Sequence, residues 1–437
     1  MIRRYEARPA AGVAGEITVP GDKSISHRAL MLAGIAEGRS EVRGFLPSED
    51  CLATLGAMRS LGVSIDRPET DRVLVDGAGL RGLTESAAAL DMGNAGTAIR
   101  LFTGLLCAQA FDSTLVGDAS LMKRPMERVA QPLRAMGADV RTSAGTPPVR
   151  IVGGRRLHGI DYRLPVASAQ VKSAILLAGL YAEGATTVIS PAISRDHSER
   201  MLRGFGAAVE ADGLRVRLVP PARLEAQRLE VPGDFSSAAF FIVAGLIAAD
   251  AGGLLIRNVG VNPSRTGLLT ILRAMGGQIE VLELRERASE PVADLRVHRS
   301  VLRGIEVSKE WVPLAIDELP VLFIAAACAR GETVVTGAEE LRVKESDRIA
   351  AMSDGLRAIG VEHEALPDGM RIAGTGDAPL SGGMVDSHGD HRVAMSFAVA
   401  SLRARAPIDI RDVANVATSF PGFVDRARAI GLDVRES

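Results

Sequence analysis

The chain has 437 residues and a formal net charge of −2, and 47% of its residues are hydrophobic whereas only 3% are aromatic. A chain of this length can bury two or three domain cores, and it lacks the bulk charge that would attract nucleic acid or a membrane surface. Its longest apolar runs, residues 238–249 and 319–329, are shorter than the roughly 18 residues needed to cross a bilayer. These features predict a cytoplasmic protein with cores of small aliphatic side chains.

The three cysteines are too few and too scattered for a disulfide framework. Cys51, Cys107 and Cys328 lie far apart in apolar surroundings. They are predicted to be buried free thiols, as expected in a reducing compartment, and their spacing does not suggest a metal site.

Six helical segments are almost wholly apolar, which is typical of buried helices. They span residues 28–36, 97–108, 172–182, 237–248, 319–329 and 392–402. Each is followed by an amphipathic helix and then a glycine. Glycine readily adopts the left-handed conformation that ends a helix. These glycines are 69 to 84 residues apart, namely Gly62, Gly137, Gly206, Gly276, Gly360 and Gly431. The near-constant period predicts six repeats of one α/β unit.

The tetrapeptide Val-Pro-Gly-Asp occurs at residues 19–22 and again at 231–234, about three repeat periods later. Its recurrence in phase with the repeats predicts two halves of three repeats each. We therefore expect one domain over residues 21–233 and a second formed by residues 1–20 and 234–437.

Cations and small residues collect at the amino ends of the buried helices, where unpaired N–H groups and the helix dipole favour anions. The first helix begins with Lys23, Ser24 and Arg28, and Gly96 would let an oxyanion approach the backbone of the second. If the helices of each half lie parallel, two facing halves would enclose a cleft suited to small, multiply anionic ligands.

A carboxylate, Asp317, lies at the start of the fifth buried helix. An acid would repel the ligand of a simple anion binder, so its presence favours an enzyme with a general base. Helix capping is the alternative explanation for Asp317.

The densest charged run spans residues 341–348. On a helix, Lys344 and Arg348 would share one face, and Glu345 would point about 100° away. The alternative is an exposed helix start whose acids offset the dipole.

Several motifs together resemble the 5-enolpyruvylshikimate-3-phosphate synthase family over essentially the whole chain. They are PGDKSISHR at 20–28, GNAGT at 93–97 with Arg100, KRP at 123–125, SAQ at 168–170, RVKESDR at 342–348 and DHR at 390–392. Residues 169, 195–197 and 317–320 resemble the class II bacterial branch of that family.

The resemblance implies an α/β protein of two inside-out barrel domains, each built from three βαβαββ repeats, with the active site in the cleft between them. It implies a monomer without cofactor or metal that has no nucleic-acid or membrane partner. The implied reaction transfers the enolpyruvyl group of phosphoenolpyruvate to the 5-hydroxyl of shikimate 3-phosphate through a tetrahedral intermediate and releases phosphate. This step belongs to aromatic amino-acid biosynthesis.

The resemblance also implies site residues, carried over position by position. Three are implied to be catalytic: Asp317 as the base toward the 5-hydroxyl, Glu345 as the acid toward the phosphoenolpyruvate methylene, and Lys23. Those implied for shikimate 3-phosphate are Lys23, Ser24, Arg28, Ser168, Ala169, Gln170, Arg195, Asp317 and Lys344. Those implied for phosphoenolpyruvate are Lys23, Gly96, Arg124, Gln170, Lys344, Arg348 and Arg392.

Two alternatives remain at this point. The related UDP-N-acetylglucosamine enolpyruvyl transferase shares the fold and the donor, but it uses a loop cysteine near the position of residues 111–124, where this chain has none. A non-catalytic phosphoanion-binding repeat protein would use the cations without needing Asp317 or Glu345.

Overall fold

The computed structural model describes residues 3–287 and 289–437 as mixed α/β structure in two compact units. The N-terminal unit is Gly21–Val231 with residues 286–287 and 289–290, and the C-terminal unit is residues 3–20, Pro232–Arg285 and Pro291–Ser437. The chain thus passes between units within both copies of Val-Pro-Gly-Asp. The aspartates of the two copies, Asp22 and Asp234, each cap the helix that follows by accepting backbone N–H groups.

All six predicted apolar helices are present, alternating with six amphipathic ones, and a single extra turn lies between residues 311 and 316. The helices are α1 (Lys23–Gly34), α2 (Glu49–Ser60), α3 (Gly96–Leu106), α4 (Glu127–Ala135), α5 (Ala169–Gly179), α6 (His197–Gly204), α7 (Phe235–Ala248), α8 (Gly267–Ala274), α9 (Val312–Ala315), α10 (Leu319–Ala327), α11 (Arg348–Ala358), α12 (His391–Ala400) and α13 (Phe423–Ala429). The apolar set is α1, α3, α5, α7, α10 and α12. Every residue of α7 and α10 is buried.

The six glycines predicted to end the amphipathic helices all have positive φ, between 78° and 103°. Each follows the C-cap residue of its helix, as Gly62 follows Leu61 and Gly431 follows Ile430. Glycine reaches this left-handed conformation without a Cβ clash, so the prediction of the helix ends is confirmed.

The strands are mostly short. They are β1 (Arg4–Arg8), β2 (Val13–Thr18), β3 (Glu37–Arg43), β4 (Ser64–Glu69), β5 (Arg72–Ala78), β6 (Leu90–Asp91), β7 (Ser113–Val116), β8 (Asp139–Ser143), β9 (Thr146–Val152), β10 (Asp161–Arg163), β11 (Thr186–Ile189), β12 (Ala208–Asp212), β13 (Arg215–Val219), β14 (Arg228–Glu230), β15 (Ala249–Gly260), β16 (Gln278–Arg287), β17 (Glu290–His298), β18 (Arg330–Val335), β19 (His363–Leu366), β20 (Gly369–Thr375), β21 (Gly383–Asp386), β22 (Ile408–Arg411) and β23 (Asp433–Glu436).

These strands form three sheets in each unit. The orders are β14-β3-β5-β4, β6-β7-β9-β8 and β10-β11-β13-β12 in the N-terminal unit, and β2-β15-β17-β16, β18-β20-β19 and β21-β22-β1-β23 in the C-terminal unit. In the five four-stranded sheets the first strand is parallel to the second, and the second follows a buried helix. In the three-stranded sheet, isolated parallel bridges at Arg303–Arg330 and Glu306–Val334 stand in the place of the first strand.

Each unit has a hydrophobic core of its own, built on its three buried helices. Cys51, Cys107 and Cys328 are buried and free, as predicted, and burial raises the pKa of each thiol to about 12. Among the described residues, no helix combines the length and apolar character that crossing a membrane requires.

Candidate active site

In the N-terminal unit, Lys23 lies in the first turn of α1, directly after the capping Asp22. Its ammonium group forms a close ion pair with Oδ2 of Asp50, from the first turn of α2. The Asp50 side chain is 5% exposed and that of Lys23 is 20% exposed. A nearly buried carboxylate therefore fixes the position of the partly exposed lysine.

Arg28 joins three helices of the same unit. Its Nη1 donates to the carbonyl of Ser24 at 2.9 Å, Nη2 to Ser173 Oγ on α5 at 2.8 Å, and Nε to Ser198 Oγ on α6 at 2.7 Å. Burial lowers the pKa of Arg28 to about 10, and the like charge of Arg195 acts in the same direction. The structure thus brings Ser24, Arg28 and Arg195 together and leaves Arg28 charged at neutral pH.

Gly96 begins α3 beside two guanidinium groups. A Cβ at this position would lie 2.7 Å from Nη1 of Arg124 and 3.1 Å from Nη1 of Arg100. Arg124 is held from its other side, because its Nη2 donates to Asn94 Oδ1 at 2.6 Å. The glycine allows two cations to approach the amino end of a helix, an arrangement that favours an anion.

Ser168, Ala169 and Gln170 form the start of α5. Ser168 is the N-cap, and its Oγ accepts from the N–H of Val171. The Gln170 amide is fixed on both sides, since Oε1 accepts from Arg100 Nη1 at 2.7 Å and Nε2 donates to Thr97 Oγ1 at 3.0 Å. Hydrogen bonds of Gln170, a residue predicted to bind phosphoenolpyruvate, therefore connect the amino ends of α3 and α5.

In the C-terminal unit, one guanidinium group contacts three carboxylates. Arg348, 1% exposed, donates from Nε to Asp390 Oδ2 at 2.8 Å, from Nη2 to Glu345 Oε2 at 2.6 Å, and from Nη1 to Asp317 Oδ1 at 3.4 Å. Burial would lower the pKa of Arg348, but these carboxylates raise it above its ordinary value. Burial would likewise raise the pKa of Asp390, but Arg348 holds it below its ordinary value. The predicted base and acid, Asp317 and Glu345, therefore share one permanently charged partner.

Asp317 also lies 3.5 Å from Nζ of Lys344, so two cations face its carboxylate. The N-cap of α10 is Glu318, the next residue, and not Asp317. The capping explanation for Asp317 is therefore wrong, and its side chain is directed at Lys344 and Arg348. The carbonyl of Asp317 accepts from Nη1 of Arg392 at 3.0 Å, which brings the sixth helix start to the same place.

The shared helical face predicted for Lys344 and Arg348 is wrong. Helix α11 begins only at Arg348, and a short 3₁₀ helix ends at Val343. Asp347 causes the break, because its side chain accepts from the N–H of Ala350 and starts the helix there. Lys344 and Glu345 consequently lie in the irregular link, and both still reach the Asp317–Arg348 group.

Residues 7–427 match the family model for EPSP synthase (3-phosphoshikimate 1-carboxyvinyltransferase). The chain belongs to this family. A 3-phosphoshikimate 1-carboxyvinyltransferase from Methylococcus capsulatus is 59% identical, over 99% of this chain and 98% of that protein. One from Acidithiobacillus ferrooxidans is 57% identical over 98% of both chains. The solved structure of an EPSP synthase from Acinetobacter baumannii superposes with a TM-score of 0.90, at 51% identity and full coverage of both chains.

Membership of the EPSP synthase family makes the chain a transferase. The matched model and these relatives give no support to the UDP-N-acetylglucosamine enolpyruvyl transferase alternative. Within the described residues, no group of three or more His, Cys, Asp or Glu side chains is placed to hold a metal ion.

Sequence reasoning missed several polar partners of these EPSP synthase residues. In the sequence, Asp50 is an acid in the first turn of a helix, where interaction with the helix dipole is its usual role. Lys172 and Glu199 form a buried ion pair at 2.6 Å in the N-terminal unit, next to the serines that hold Arg28. A lysine in an otherwise apolar helix is the one sequence signal for that pair, because a buried cation needs a partner.

Proposed function

We propose that this chain transfers the carboxyvinyl group of phosphoenolpyruvate to the 5-hydroxyl of shikimate 3-phosphate. The observation that carries the proposal is that Arg348 contacts both Asp317 and Glu345. Such a pair of carboxylates provides a base and an acid within reach of one cation. A phosphoanion binder would gain nothing from them.

In the proposed reaction Asp317 takes the proton of the 5-hydroxyl, and the oxygen attacks C2 of phosphoenolpyruvate. Glu345 donates a proton to C3, which gives a tetrahedral intermediate carrying both the new ether and the phosphate. Glu345 then takes back a C3 proton, the bond between C2 and the phosphate oxygen breaks, and the double bond is restored. The proton held by Asp317 leaves with the phosphate. Atoms and charge balance without a cofactor.

The surroundings of Asp317 suit a base. Lys344 and Arg348 both face its carboxylate, and opposite charges at this range stabilise the ionised form. After proton transfer, the same two cations would face the developing negative charge on the substrate oxygen. Stabilisation of such charge by groups already in place is commonly the largest part of catalysis.

Glu345 needs the opposite condition, because an acid must hold its proton. Its contact with Arg348 favours the ionised form. Four of the five N–H groups of Arg348 donate to carboxylates, so a phosphoenolpyruvate anion that binds this guanidinium group competes with them. We propose that it displaces Glu345, which then lies beside Asp390 and the ligand charge and takes up a proton.

The N-terminal unit supplies the remaining charges. We propose that Lys23, Ser24, Arg28, Arg195 and the Ser168–Gln170 start bind shikimate 3-phosphate. Arg124 and the open amino end at Gly96 would bind phosphoenolpyruvate together with Lys23 and Gln170. In the C-terminal unit, Lys344, Arg348 and Arg392 would complete that set. The proposal is supported by fixed cations at helix starts, which bind phosphate and carboxylate groups well.

We further propose that the six sheets and six buried helices are six βαβαββ repeats of the inside-out barrel kind, three in each unit. Every group in the scheme comes from one chain, so a monomer would be catalytically complete. The three buried free thiols fit the reducing conditions of the cytoplasm.

The test is a phosphate-release assay with both substrates, with UDP-N-acetylglucosamine offered as the competing acceptor. We expect release only when phosphoenolpyruvate and shikimate 3-phosphate are both present. Release that requires UDP-N-acetylglucosamine would establish the other transferase, and binding of both ligands without any release would establish a phosphoanion-binding protein.

A further inference from the structure

Glu318 is a buried acid of the C-terminal unit to which the scheme above gives no task. It is 2% exposed and occupies the N-cap position of α10. Among the described residues, its side chain makes no capping hydrogen bond to this helix. Burying a carboxylate is costly unless it is paired, so the groups that contact Glu318 should indicate its role.

The first contact is with α7. Ser236 Oγ forms a short hydrogen bond to Oε1 of Glu318, and the same Oγ lies 2.9 Å from Nη2 of Arg265. A guanidinium group can only donate, so the serine oxygen accepts from Arg265. The one hydroxyl proton of Ser236 is therefore directed at Glu318. Arg265 is itself held by Asp234, the N-cap of α7, at 3.3 Å.

The second contact is with the sixth helix start. Oε1 of Glu318 lies 4.0 Å from Nη1 of Arg392, the nitrogen that donates to the Asp317 carbonyl at 3.0 Å. Two consecutive residues thus attract the same guanidinium nitrogen. For the Nε and Nη2 atoms of Arg392, no protein acceptor is found among the described residues, and the side chain is 13% exposed. Those two donors remain for an anion.

We infer that Glu318 is a positioning residue for Arg392, and that Ser236 and Arg265 hold it in place. The contacts that run from Arg265 through Ser236 and Glu318 to Arg392 determine which face of the Arg392 guanidinium group is presented to phosphoenolpyruvate. This inference rests on the proposed function, because it takes Arg392 as a ligand of that substrate. Glu318 acts on binding through Arg392 and does not touch the reacting atoms.

The decisive variant is Glu318→Gln, which keeps the shape and removes the charge. We expect the KM for phosphoenolpyruvate to rise about tenfold or more, because the charge that attracts the Arg392 guanidinium group is lost. The KM for shikimate 3-phosphate should stay within about twofold. Glu332→Gln is the matched control, because Glu332 in the same unit pairs with Arg371 at the surface. Both Michaelis constants should be unchanged in that control.

Ser236→Ala provides a second, smaller change that keeps Glu318. It should move the phosphoenolpyruvate KM in the same direction, and the double variant Glu318→Gln/Ser236→Ala should be no worse than Glu318→Gln alone. Additive effects of the two substitutions on the phosphoenolpyruvate KM would show that Ser236 does not act through Glu318 on Arg392, and would overturn the inference.

Three further outcomes are decisive. Equal rises in both Michaelis constants, or a loss of turnover with both constants unchanged, would make Glu318 a general structural residue and overturn the inference. An unchanged phosphoenolpyruvate KM in a folded Glu318→Gln protein would overturn it as well. If the unsubstituted chain itself released no phosphate, the proposed function would fail first, and that failure is visible before any variant is made.

Discussion

Nη2 of Arg348 lies 2.6 Å from Oε2 of Glu345, so the proposed proton donor is paired with a fixed cation. An ion pair with a guanidinium group favours the ionised form of a carboxylate, whereas a proton donor must hold its proton. The chemistry proposed here therefore requires an exchange of partners by Arg348 when phosphoenolpyruvate binds.

The exchange predicts proton uptake. Titration of phosphoenolpyruvate into the protein should take up as much as one proton per ligand, because Glu345 loses Arg348 and stays beside Asp390. Calorimetry in buffers of different ionisation enthalpy measures this number. A pH near 8 keeps the ligand phosphate fully ionised, since such groups titrate near pH 6.

Glu345→Gln is the matched variant, because it keeps the side-chain shape and has no proton to gain. It should bind phosphoenolpyruvate without buffer dependence. A zero slope in the unsubstituted protein, or the same slope in both proteins, would contradict the exchange.

Replacement of the base should separate binding from turnover. Asp317→Asn should bind shikimate 3-phosphate normally and lose at least ~10²-fold in turnover, because the amide cannot accept the hydroxyl proton. Equilibrium titration and initial rates measure the two quantities. Unchanged turnover would show that another group is the base.

A side chain at Gly96 should weaken phosphoenolpyruvate binding. The Cβ of Gly96→Ala would lie 2.7 Å from Arg124 Nη1, so the flexible guanidinium group must move while the backbone stays in place. We expect a loss of about tenfold in phosphoenolpyruvate affinity, about 1.4 kcal/mol, with little change for shikimate 3-phosphate and in the melting temperature.

The control for this change is Gly56→Ala on α2. A Cβ there meets nothing within 4 Å. That substitution should leave both affinities unchanged and stabilise its helix by up to about 1 kcal/mol. Equal weakening of both ligands by Gly96→Ala would argue against a place for Gly96 beside the smaller substrate.

Asp390 should make the stability of the C-terminal unit depend on pH in the acidic range. Arg348 lowers the pKa of Asp390 in the folded protein. The contribution of Asp390 to the free energy of unfolding is therefore fully present above the pKa of the unfolded state, near 4. It is lost as the pH falls through the lower pKa of the folded state. Asp390→Asn should therefore destabilise the protein by about 3 kcal/mol at neutral pH, the cost of breaking a buried ion pair.

Denaturant unfolding from pH 7 down to pH 3 measures this dependence. The difference between Asp390→Asn and the unsubstituted protein should be constant to about pH 5 and shrink below pH 4. Asp377→Asn, which removes an exposed partner of Arg330, should change stability by less than about 0.5 kcal/mol at any pH. A difference for Asp390→Asn that grows in acid would refute the assignment.

The sequence predicted what depends on local pattern and left out what depends on distant partners. Periodic apolar residues identified the six buried helices, and the glycine at 62 and its five equivalents identified the helix ends. The prediction that Lys344 and Arg348 share one helical face was wrong because the Asp347 side chain accepts a backbone N–H and starts the helix there. Spacing alone does not reveal this effect. The ion pair of Lys23 with Asp50 and the bond from Ser236 to Glu318 join residues 27 and 82 positions apart. Only the fold brings such pairs together.

The first strands of the chain have a consequence for its synthesis. β1 lies between β22 and β23, and β2 pairs with β15, so these two strands are made long before their partners. The N-terminal unit is almost continuous in sequence and can assemble its sheets meanwhile. Contacts between strands so far apart in sequence form slowly, because a large loop must close before they are gained. We therefore expect the C-terminal unit to fold after the N-terminal unit, once β22 and β23 have been made. Until then the unpaired β1 and β2 strands are the part of the chain most prone to misassembly.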